Sequence, residues 1–138
     1  MNIFSIDPGL QTGSCQFLDG VTTHEEIPYP DVYLKLDKII SNSKFDFVVC
    51  ESFFITMQTA KKSRADWSLK IIGAIEMICL RENIKLIMQS PSDAKNFSTD
   101  KRLKELGMWF PSKGMHCVDS YRHLVLFLFR NYPKEILK

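Results

Sequence analysis

The chain has 138 residues, of which 45% are hydrophobic and 25% are charged, and its net charge is +2. These values are typical of one globular domain, here residues 1–138, and exclude two domains of ordinary size. No apolar run approaches the roughly 18 residues of a membrane span, and the first residues lack the pattern of a signal peptide. We therefore expect neither a membrane segment nor secretion.

The first third of the chain predicts a three-stranded meander. Residues 2–6 form a short apolar run, residues 12–20 alternate small or polar with larger residues, and Asp19-Gly20 predicts a hairpin. Residues 21–27 are β-branched and largely polar, as in an exposed edge strand. Asp31 is then predicted to cap a helix, and residues 45–51 to form an interior strand covered on both faces.

The rest of the chain predicts helices around one further strand. Residues 63–82 have a helical pattern that is apolar over most of its circumference, which calls for a second partner besides the sheet, and Gly73 indicates a close backbone approach. Residues 83–89 predict a strand, followed by a short helix. A helix over 98–107, capped by Ser98 or Thr99, and a final helix over 115–132 complete the order.

This order predicts an α/β fold. Its mixed sheet begins with an antiparallel three-strand meander and continues with βαβ units, so that helices lie on both faces.

The charges and the cysteines each carry a further indication. Residues 1–60 hold three Lys or Arg against eight Asp or Glu, a net −5, whereas residues 61–138 hold fifteen against eight, a net +7. An acidic centre beside a basic rim would suit metal ions and a polyanion, and a solvated surface of mixed charge is the plainer interpretation. The four cysteines form no CxxC pair, which is typical of reduced thiols in a cytosolic protein and disfavours a zinc site.

Three acidic residues stand at the ends of predicted elements. In the segment SIDPGLQTG, Asp7 ends the first strand; Glu51 ends the fourth, and Asp119 opens the final helix. If strands one and four are parallel neighbours, Asp7 and Glu51 emerge together at the carboxyl edge of the sheet, where open α/β folds bind ligands. His116 precedes Asp119 by three residues and therefore points from the same helical face.

Carboxylates crowded in this way would raise one another's pKa unless cations neutralised them. Mg²⁺ and Mn²⁺ prefer carboxylate oxygens, and two such ions about 3.5–4 Å apart can activate water and stabilise the leaving oxygen in phosphodiester hydrolysis. In that case Gly9 would leave room for a phosphate. Each residue also has a plainer interpretation, as a turn former, a strand end in water, a solvent-facing histidine or a first-turn acid.

Four segments, in chain order, resemble the motifs of the RuvC-type Holliday-junction resolvases of the RNase H-like superfamily. The segment SIDPGLQTG resembles their opening IDPGxxxTG, VVCESFF their second motif, QSPSDAKNF their P-S-x-x-K segment, and HCVDSYRHLVLFL their last helix. The resemblance implies an RNase H-like fold and an endonuclease that cuts branched DNA with Mg²⁺ or Mn²⁺, two ions per site. Within it, Asp7, Glu51 and Asp119 match the acidic metal ligands, and His116 matches the fourth position.

The resemblance also implies a DNA-binding surface. Phe54 matches an aromatic that stacks on an unpaired base, and a core aromatic is its plainer interpretation. Lys95 and Lys101 match basic residues near the scissile phosphate. Further bases that could grip phosphates are Lys61, Lys62, Arg64, Arg102 and Lys113. The helix over residues 66–82 corresponds to the one that builds a two-fold dimer in such resolvases, so we expect a homodimer.

The sequence departs from the family pattern in two ways. The glycine-containing T-G-x-G stretch is replaced by NFSTDKRL, and the chain is shorter than typical bacterial members. We therefore expect a compact phage-type member in a bacterial or phage-infected cytoplasm, with activity that extends to flaps and forks. The alternatives are a nuclease for RNA–DNA hybrids, a catalytically silent junction-binding module, and a sugar-kinase or actin-like protein. The last needs two such domains, and 138 residues supply one.

Overall fold

The computed structural model describes residues 1–60, 65–110 and 115–136. Strands and helices follow one another in the predicted order. The strands are β1 (Asn2–Asp7), β2 (Gln11–Leu18), β3 (Val21–Pro28), β4 (Phe47–Glu51) and β5 (Lys85–Gln89). The helices are α1 (Val32–Asn42), α2 (Met57–Ala60), α3 (Ala65–Glu82), α4 (Pro91–Phe97), α5 (Asp100–Glu105), α6 (Met115–Asn131) and α7 (Pro133–Ile136).

The strands form one mixed sheet in the order β3-β2-β1-β4-β5. The first three strands pair antiparallel, as the hairpin signals predict. After α1, β4 returns parallel to β1, and β5 adds parallel to β4. The polar strand β3 therefore lies at an edge and the apolar strand β4 inside the sheet, and both predictions are confirmed.

Helices cover both faces of the sheet because side chains along a strand point alternately to its two faces. On one face, Phe4 and Ile6 of β1 pack with α1 and α3. On the other face, Ile3 of β1 and Val49 of β4 pack with α5 and α6. The predicted fold class, a mixed sheet between two helical layers, is thus confirmed.

Some local predictions are wrong. Asp31 stands before α1 with a helical backbone, and its side chain makes no capping hydrogen bond. Nothing lies within 4 Å of a Cβ placed on Gly73, so the close approach predicted there is absent from the described part of the single chain. Two short helices, α2 and α7, were not predicted, and Pro133 both ends α6 and begins α7. Of the two candidate caps for α5, Thr99 accepts the hydrogen bond, from the backbone N–H of Arg102 at 3.2 Å.

All four cysteines are free and buried. Within the described ranges no helix is long and apolar enough to cross a membrane.

The first turn of α6 packs directly against Gly13 of β2. A Cβ built on Gly13 would lie 1.9 Å from the backbone oxygen of His116 and 2.9 Å from the backbone nitrogen of Cys117. Neither atom can move without moving the first turn of α6, so only glycine fits. Gly9, in contrast, would accept a Cβ at an ordinary 3.4 Å from the backbone oxygen of Gln11, so its backbone does not require glycine.

The replacement Gly13→Ala is therefore expected to destabilise the protein by about 1–3 kcal/mol or more, because the new methyl group meets backbone rather than a movable side chain. The midpoint of thermal unfolding should fall by at least several degrees. Gly9→Ala is the matched control and should leave the midpoint nearly unchanged. Equal midpoints for the two variants would contradict the close packing of α6 on β2.

Candidate active site

The carboxyl ends of β1 and β4 bring two acidic side chains to one edge of the sheet. The parallel register pairs Ile6 with Cys50, so that Asp7 and Glu51, the next residue on each strand, are neighbours. Asp7 is only 8% exposed. The predicted juxtaposition follows directly from the parallel pairing of β1 with β4.

Asp7 lies in an environment that disfavours its charge. Burial is the largest cause and, together with the negative charges of Glu51 and Asp119, raises the pKa of Asp7 from 3.8 to about 8. Lys95 acts in the opposite direction, and a hydrogen bond with Glu51 adds to the increase. Three carboxylates and one lysine thus share one electrostatic environment, to which β1, β4, α4 and α6 each contribute.

The first turn of α6 supplies the remaining members of this group. Its approach depends on Gly13 and on a hydrogen bond from the buried Ser5 hydroxyl to the Ser120 backbone oxygen at 2.6 Å. His116 consequently lies with its Nδ1 atom 3.7 Å from Oδ2 of Asp7, and its side chain is 46% exposed. An imidazole in this position is accessible to a ligand that approaches Asp7.

Arg122 lies behind Asp119 and was not singled out by the sequence. Its Nε is 3.5 Å from Oδ1 of Asp119, and its Nη2 is 2.6 Å from Oδ1 of Asp100. Its Nη1 donates a hydrogen bond to the backbone oxygen of Ser98 at 2.7 Å. This guanidinium connects the start of α5 to the acidic group, and the i, i+3 spacing from Asp119 is the sequence signal that could have identified it.

His123 was also not singled out by the sequence. Its Nε2 is 2.7 Å from Oε2 of Glu51, and its Nδ1 is 2.9 Å from Oε1 of Gln89. It follows Asp119 by one helical turn, so the two residues share a face of α6. That spacing is the signal that could have identified it.

The donors at this edge fit a hard divalent cation in kind: carboxylate oxygens, with one exposed imidazole beside them. An added positive charge would lower the raised pKa of Asp7. Among the described residues, however, no three His, Cys, Asp or Glu side chains converge closely enough to hold an ion as they stand. The carboxylates are therefore near one another, but as they stand they do not form a complete coordination site for an ion.

The basic residues of the prediction are divided between several surfaces. Lys95 is exposed and acts on Asp7. Lys101 pairs with Glu105 in the same helix at 3.9 Å, and the guanidinium of Arg102 lies 4.6 Å from the ring centre of Phe97. These contacts of Lys101 and Arg102 are local to α4 and α5. The other predicted bases, Lys61, Lys62, Arg64 and Lys113, lie outside the described residues.

Phe54 is 63% exposed, so it is not the core aromatic of the plainer interpretation. Together with Glu51, Ser52 and Phe53 it lines an open cavity of about 380 Å³, whose other side is formed by the start of α4. An apolar ring therefore stands at the mouth of a cleft that reaches the acidic edge.

Comparison with known proteins supports this description at the level of the fold. RuvC from Thermus thermophilus in complex with a Holliday junction substrate is similar with a TM-score of 0.70 and 16% identity, over 94% of this chain and 95% of that one. A second structure of Thermus thermophilus RuvC gives a TM-score of 0.67 and 15% identity, over 94% and 96% of the two chains. The fowlpox virus resolvase in complex with substrate Holliday junction DNA gives 0.59 and 14%, over 93% and 99%.

No family model matches the sequence, and no curated protein matches it significantly. The chain has the RuvC-like, RNase H-like fold, which the structural neighbours share over nearly its whole length. The resemblance indicated by the sequence motifs is confirmed at this level.

Proposed function

We propose that this protein is a divalent-metal-dependent endonuclease that cuts branched DNA and resolves Holliday junctions by paired nicks. The observation that carries the proposal is the shared electrostatic environment of Asp7, Glu51 and Asp119 at the carboxyl edge of a RuvC-like sheet. The similarity to resolvases that are complexed with Holliday junction DNA supports the choice of substrate. We take residues 1–138 as one nuclease domain. The free, buried cysteines support a cytoplasmic location.

Asp7, Glu51, Asp119 and His116 are the residues that would hold two Mg²⁺ or Mn²⁺ ions. When bound, such ions supply an activated water and offset the negative charge that develops on the phosphate oxygens. The fit rests on the chemistry of the donors and on the repulsion among the carboxylates.

The side chains of this chain have separate tasks in the proposed reaction. Asp7 stands at the end of β1 and gives up its proton when positive charge enters the site, because that charge offsets the burial cost and the repulsion that raise its pKa. His116 stands on the open side of Asp7. Lys95 contributes a fixed positive charge to the same region and would offset charge on the scissile phosphate in the transition state.

Phe54 is proposed to stack on an unpaired base at the centre of the junction. Its ring is exposed beside Glu51, so a base held there would lie next to the acidic edge. Stacking of this kind contributes about 1–3 kcal/mol per base. Lys101 and Arg102 on α5, together with Lys61, Lys62, Arg64 and Lys113, are proposed to contact phosphates on either side of the cut.

The exposed face of α3 is the proposed dimer interface. Leu69, Gly73, Met77 and Leu80 are spaced four, four and three residues apart, and they form one exposed stripe along the helix, which we call the α3 stripe. Gly73 at its centre would let a second helix approach closely. A two-fold dimer would present two active sites to two strands of a symmetric junction.

The replacement Leu80→Asp is expected to make the protein monomeric at micromolar concentration, because it buries a charge in the proposed interface. Leu80 is 83% exposed in the single chain, so the change should leave folding intact. Leu34→Asp, on α1 and not on the α3 stripe, is the matched control, since that side chain is 80% exposed. Sedimentation velocity measures the result, and a wild-type protein that sediments as a monomer would contradict the dimer.

A panel of labelled substrates tests the proposed function. The wild-type protein is incubated with a four-way junction, a flap, a fork, an RNA–DNA hybrid and a linear duplex, each with Mg²⁺, Mn²⁺ or EDTA. We expect metal-dependent paired nicks in the junction, with weaker cutting of flaps and forks. Cleavage confined to the hybrid would assign the protein to the ribonucleases of this fold, and binding to the junction without cleavage would leave a binding module.

A further inference from the structure

His123 is buried directly behind the acidic edge. The residue is 1% exposed, and both of its ring nitrogens are within hydrogen-bond distance of polar side chains, Nε2 of Glu51 and Nδ1 of Gln89. It therefore differs from His116, whose ring is nearly half exposed and lies 3.7 Å from Asp7. A ring with both nitrogens engaged and almost no accessible surface is unsuited to bind a metal itself.

The hydrogen bond to Glu51 has a defined direction. A carboxylate that holds a metal ion only accepts hydrogen bonds, so in that role Glu51 would accept at Oε2 from Nε2 of His123, 2.7 Å away. Oε1 of Gln89 faces Nδ1, and turning the amide would present its NH2 group there instead, so Gln89 can complement Nδ1 with or without a proton. Glu51 also has a hydrogen bond with Asp7, so its carboxyl group is shared between the buried histidine and the acidic edge.

Gln89 is itself fixed from two sides. It is 7% exposed and stands opposite Glu51 in the register of β4 with β5. Its backbone oxygen accepts hydrogen bonds from the backbone N–H of Ser52 at 2.8 Å and from the Ser52 hydroxyl at 3.0 Å. Gln89 therefore fixes Glu51 in two ways. It binds the backbone through Ser52, the residue after Glu51, and it contacts His123, which in turn contacts the Glu51 carboxylate.

We propose that His123 is a positioning residue that holds one oxygen of Glu51 and thereby aims the other at the metal site, with Gln89 fixing the ring. The inference rests on the proposed function, since it assigns Glu51 to that site. Outer hydrogen-bond partners of this kind orient metal ligands, and their loss typically weakens metal affinity or activity by about 10–100-fold. A buried histidine that merely fills the core would have no such effect.

Two substitutions separate these roles. In His123→Asn the amide reaches the position of Nδ1, so the contact with Gln89 can persist while that with Glu51 is lost. In His123→Gln the longer amide reaches the position of Nε2 and can still donate to Glu51. Metal binding is measured without DNA, as the shift in the thermal unfolding midpoint over a Mn²⁺ titration. We expect the half-saturating Mn²⁺ concentration to rise about 10–100-fold in His123→Asn and to return close to wild type in His123→Gln.

The same variants are then tested on a four-way junction. Single-turnover cleavage at a fixed Mn²⁺ concentration should fall in parallel with metal affinity, while the junction Kd measured in EDTA should stay within about twofold of wild type. His24→Asn is the matched control, because His24 stacks on Phe110 with ring centres 4.1 Å apart, on the outer strand β3. It should leave the Mn²⁺ titration unchanged.

Gln89→Leu provides a second path to the same conclusion. It should weaken Mn²⁺ binding in the same direction as His123→Asn, and the double variant should lose little more than His123→Asn alone, because Gln89 acts through the ring. If His123→Asn does not fold, the proposal is overturned when Gln89→Leu has the same half-saturating Mn²⁺ concentration as the wild-type protein. The proposal is also overturned if every folded His123 variant has the half-saturating Mn²⁺ concentration of the wild-type protein. A wild-type protein that neither binds Mn²⁺ nor cuts DNA would instead refute the proposed function, and this inference with it.

Discussion

Asp7→Asn is expected to abolish metal-dependent cleavage of a four-way junction and, at the same time, to stabilise the metal-free protein. The first effect follows from losing a carboxylate that holds the metal ions, whose charge stabilisation of several kcal/mol corresponds to a loss of about 10³-fold in rate. The second follows because the amide has nearly the same shape but carries no charge. It therefore avoids both the burial cost and the repulsion from Glu51 and Asp119 that raise the pKa of Asp7.

The stabilisation has a defined dependence on pH. The folded protein keeps a proton on Asp7 up to about pH 8, whereas the unfolded chain releases it near 3.8. Between these values the folded state binds more protons, so the stability of the metal-free wild type falls as the pH rises. Asp7→Asn lacks this titration. Its free energy of unfolding should therefore exceed that of the wild type by almost nothing near pH 4 and by on the order of a few kcal/mol at pH 8.

Thermal unfolding in EDTA at several pH values between 4 and 8 measures this effect, which corresponds to a rise in midpoint of about 5–10 °C at pH 8. Asp19→Asn is the matched control, because Asp19 is 88% exposed in the β2–β3 hairpin and an Asn-Gly turn preserves that hairpin. Added Mg²⁺ or Mn²⁺ should stabilise the wild type more than Asp7→Asn. A midpoint for Asp7→Asn that lies below wild type at pH 8 would contradict the crowding of charge around Asp7.

Asp119→Asn should reduce junction cleavage by about two orders of magnitude or more, while Asp100→Asn should leave it nearly unchanged. Both carboxylates face Arg122, Asp119 at 3.5 Å and Asp100 at 2.6 Å. Of the two, Asp119 is the one whose charge acts on Asp7. Each substitution therefore removes a carboxylate beside the guanidinium of Arg122. Only Asp119→Asn also removes a proposed metal ligand from the acidic edge.

Single-turnover cleavage rates and junction affinities in EDTA measure the difference between the two variants. Asp100→Asn should cost some stability, because the Arg122 ion pair is only partly screened by water. Its cleavage rate should nevertheless stay near wild type. Equal rates in both variants would mean that Asp119 belongs to the ion-pair network of α5 and α6 and not to the catalytic group.

The features that the sequence predicted are those determined by local pattern. Short apolar runs fix the strands, and the polar composition of β3 against the apolar β4 fixes which of them lies at the edge of the sheet. Once β1 and β4 pair in parallel, the positions of Asp7 and Glu51 at the ends of their strands are enough to bring them together.

The features that it missed depend on contacts between distant elements. His123 and Arg122 look like ordinary residues of an amphipathic helix until α6 is packed against β4, β5 and α5. Gly13 was quoted only within the segment SIDPGLQTG, yet the fold requires glycine there, because the backbone of His116 packs against it. The prediction for Asp31 failed for a local reason: Asp is a common cap, but the backbone at that position is helical and the side chain makes no capping hydrogen bond.

Mapping the cuts in a four-way junction labelled on each strand in turn tests the central claim most directly. The wild-type protein and Asp7→Asn are compared at equal occupancy of the junction, with Mg²⁺ and with EDTA. We expect the wild type to make symmetric paired nicks near the branch point that leave 5′-phosphate ends, only when Mg²⁺ is present, and we expect no cuts from Asp7→Asn. Equal cutting by the two proteins, or no cutting by a wild type that binds both Mg²⁺ and the junction, would contradict the account.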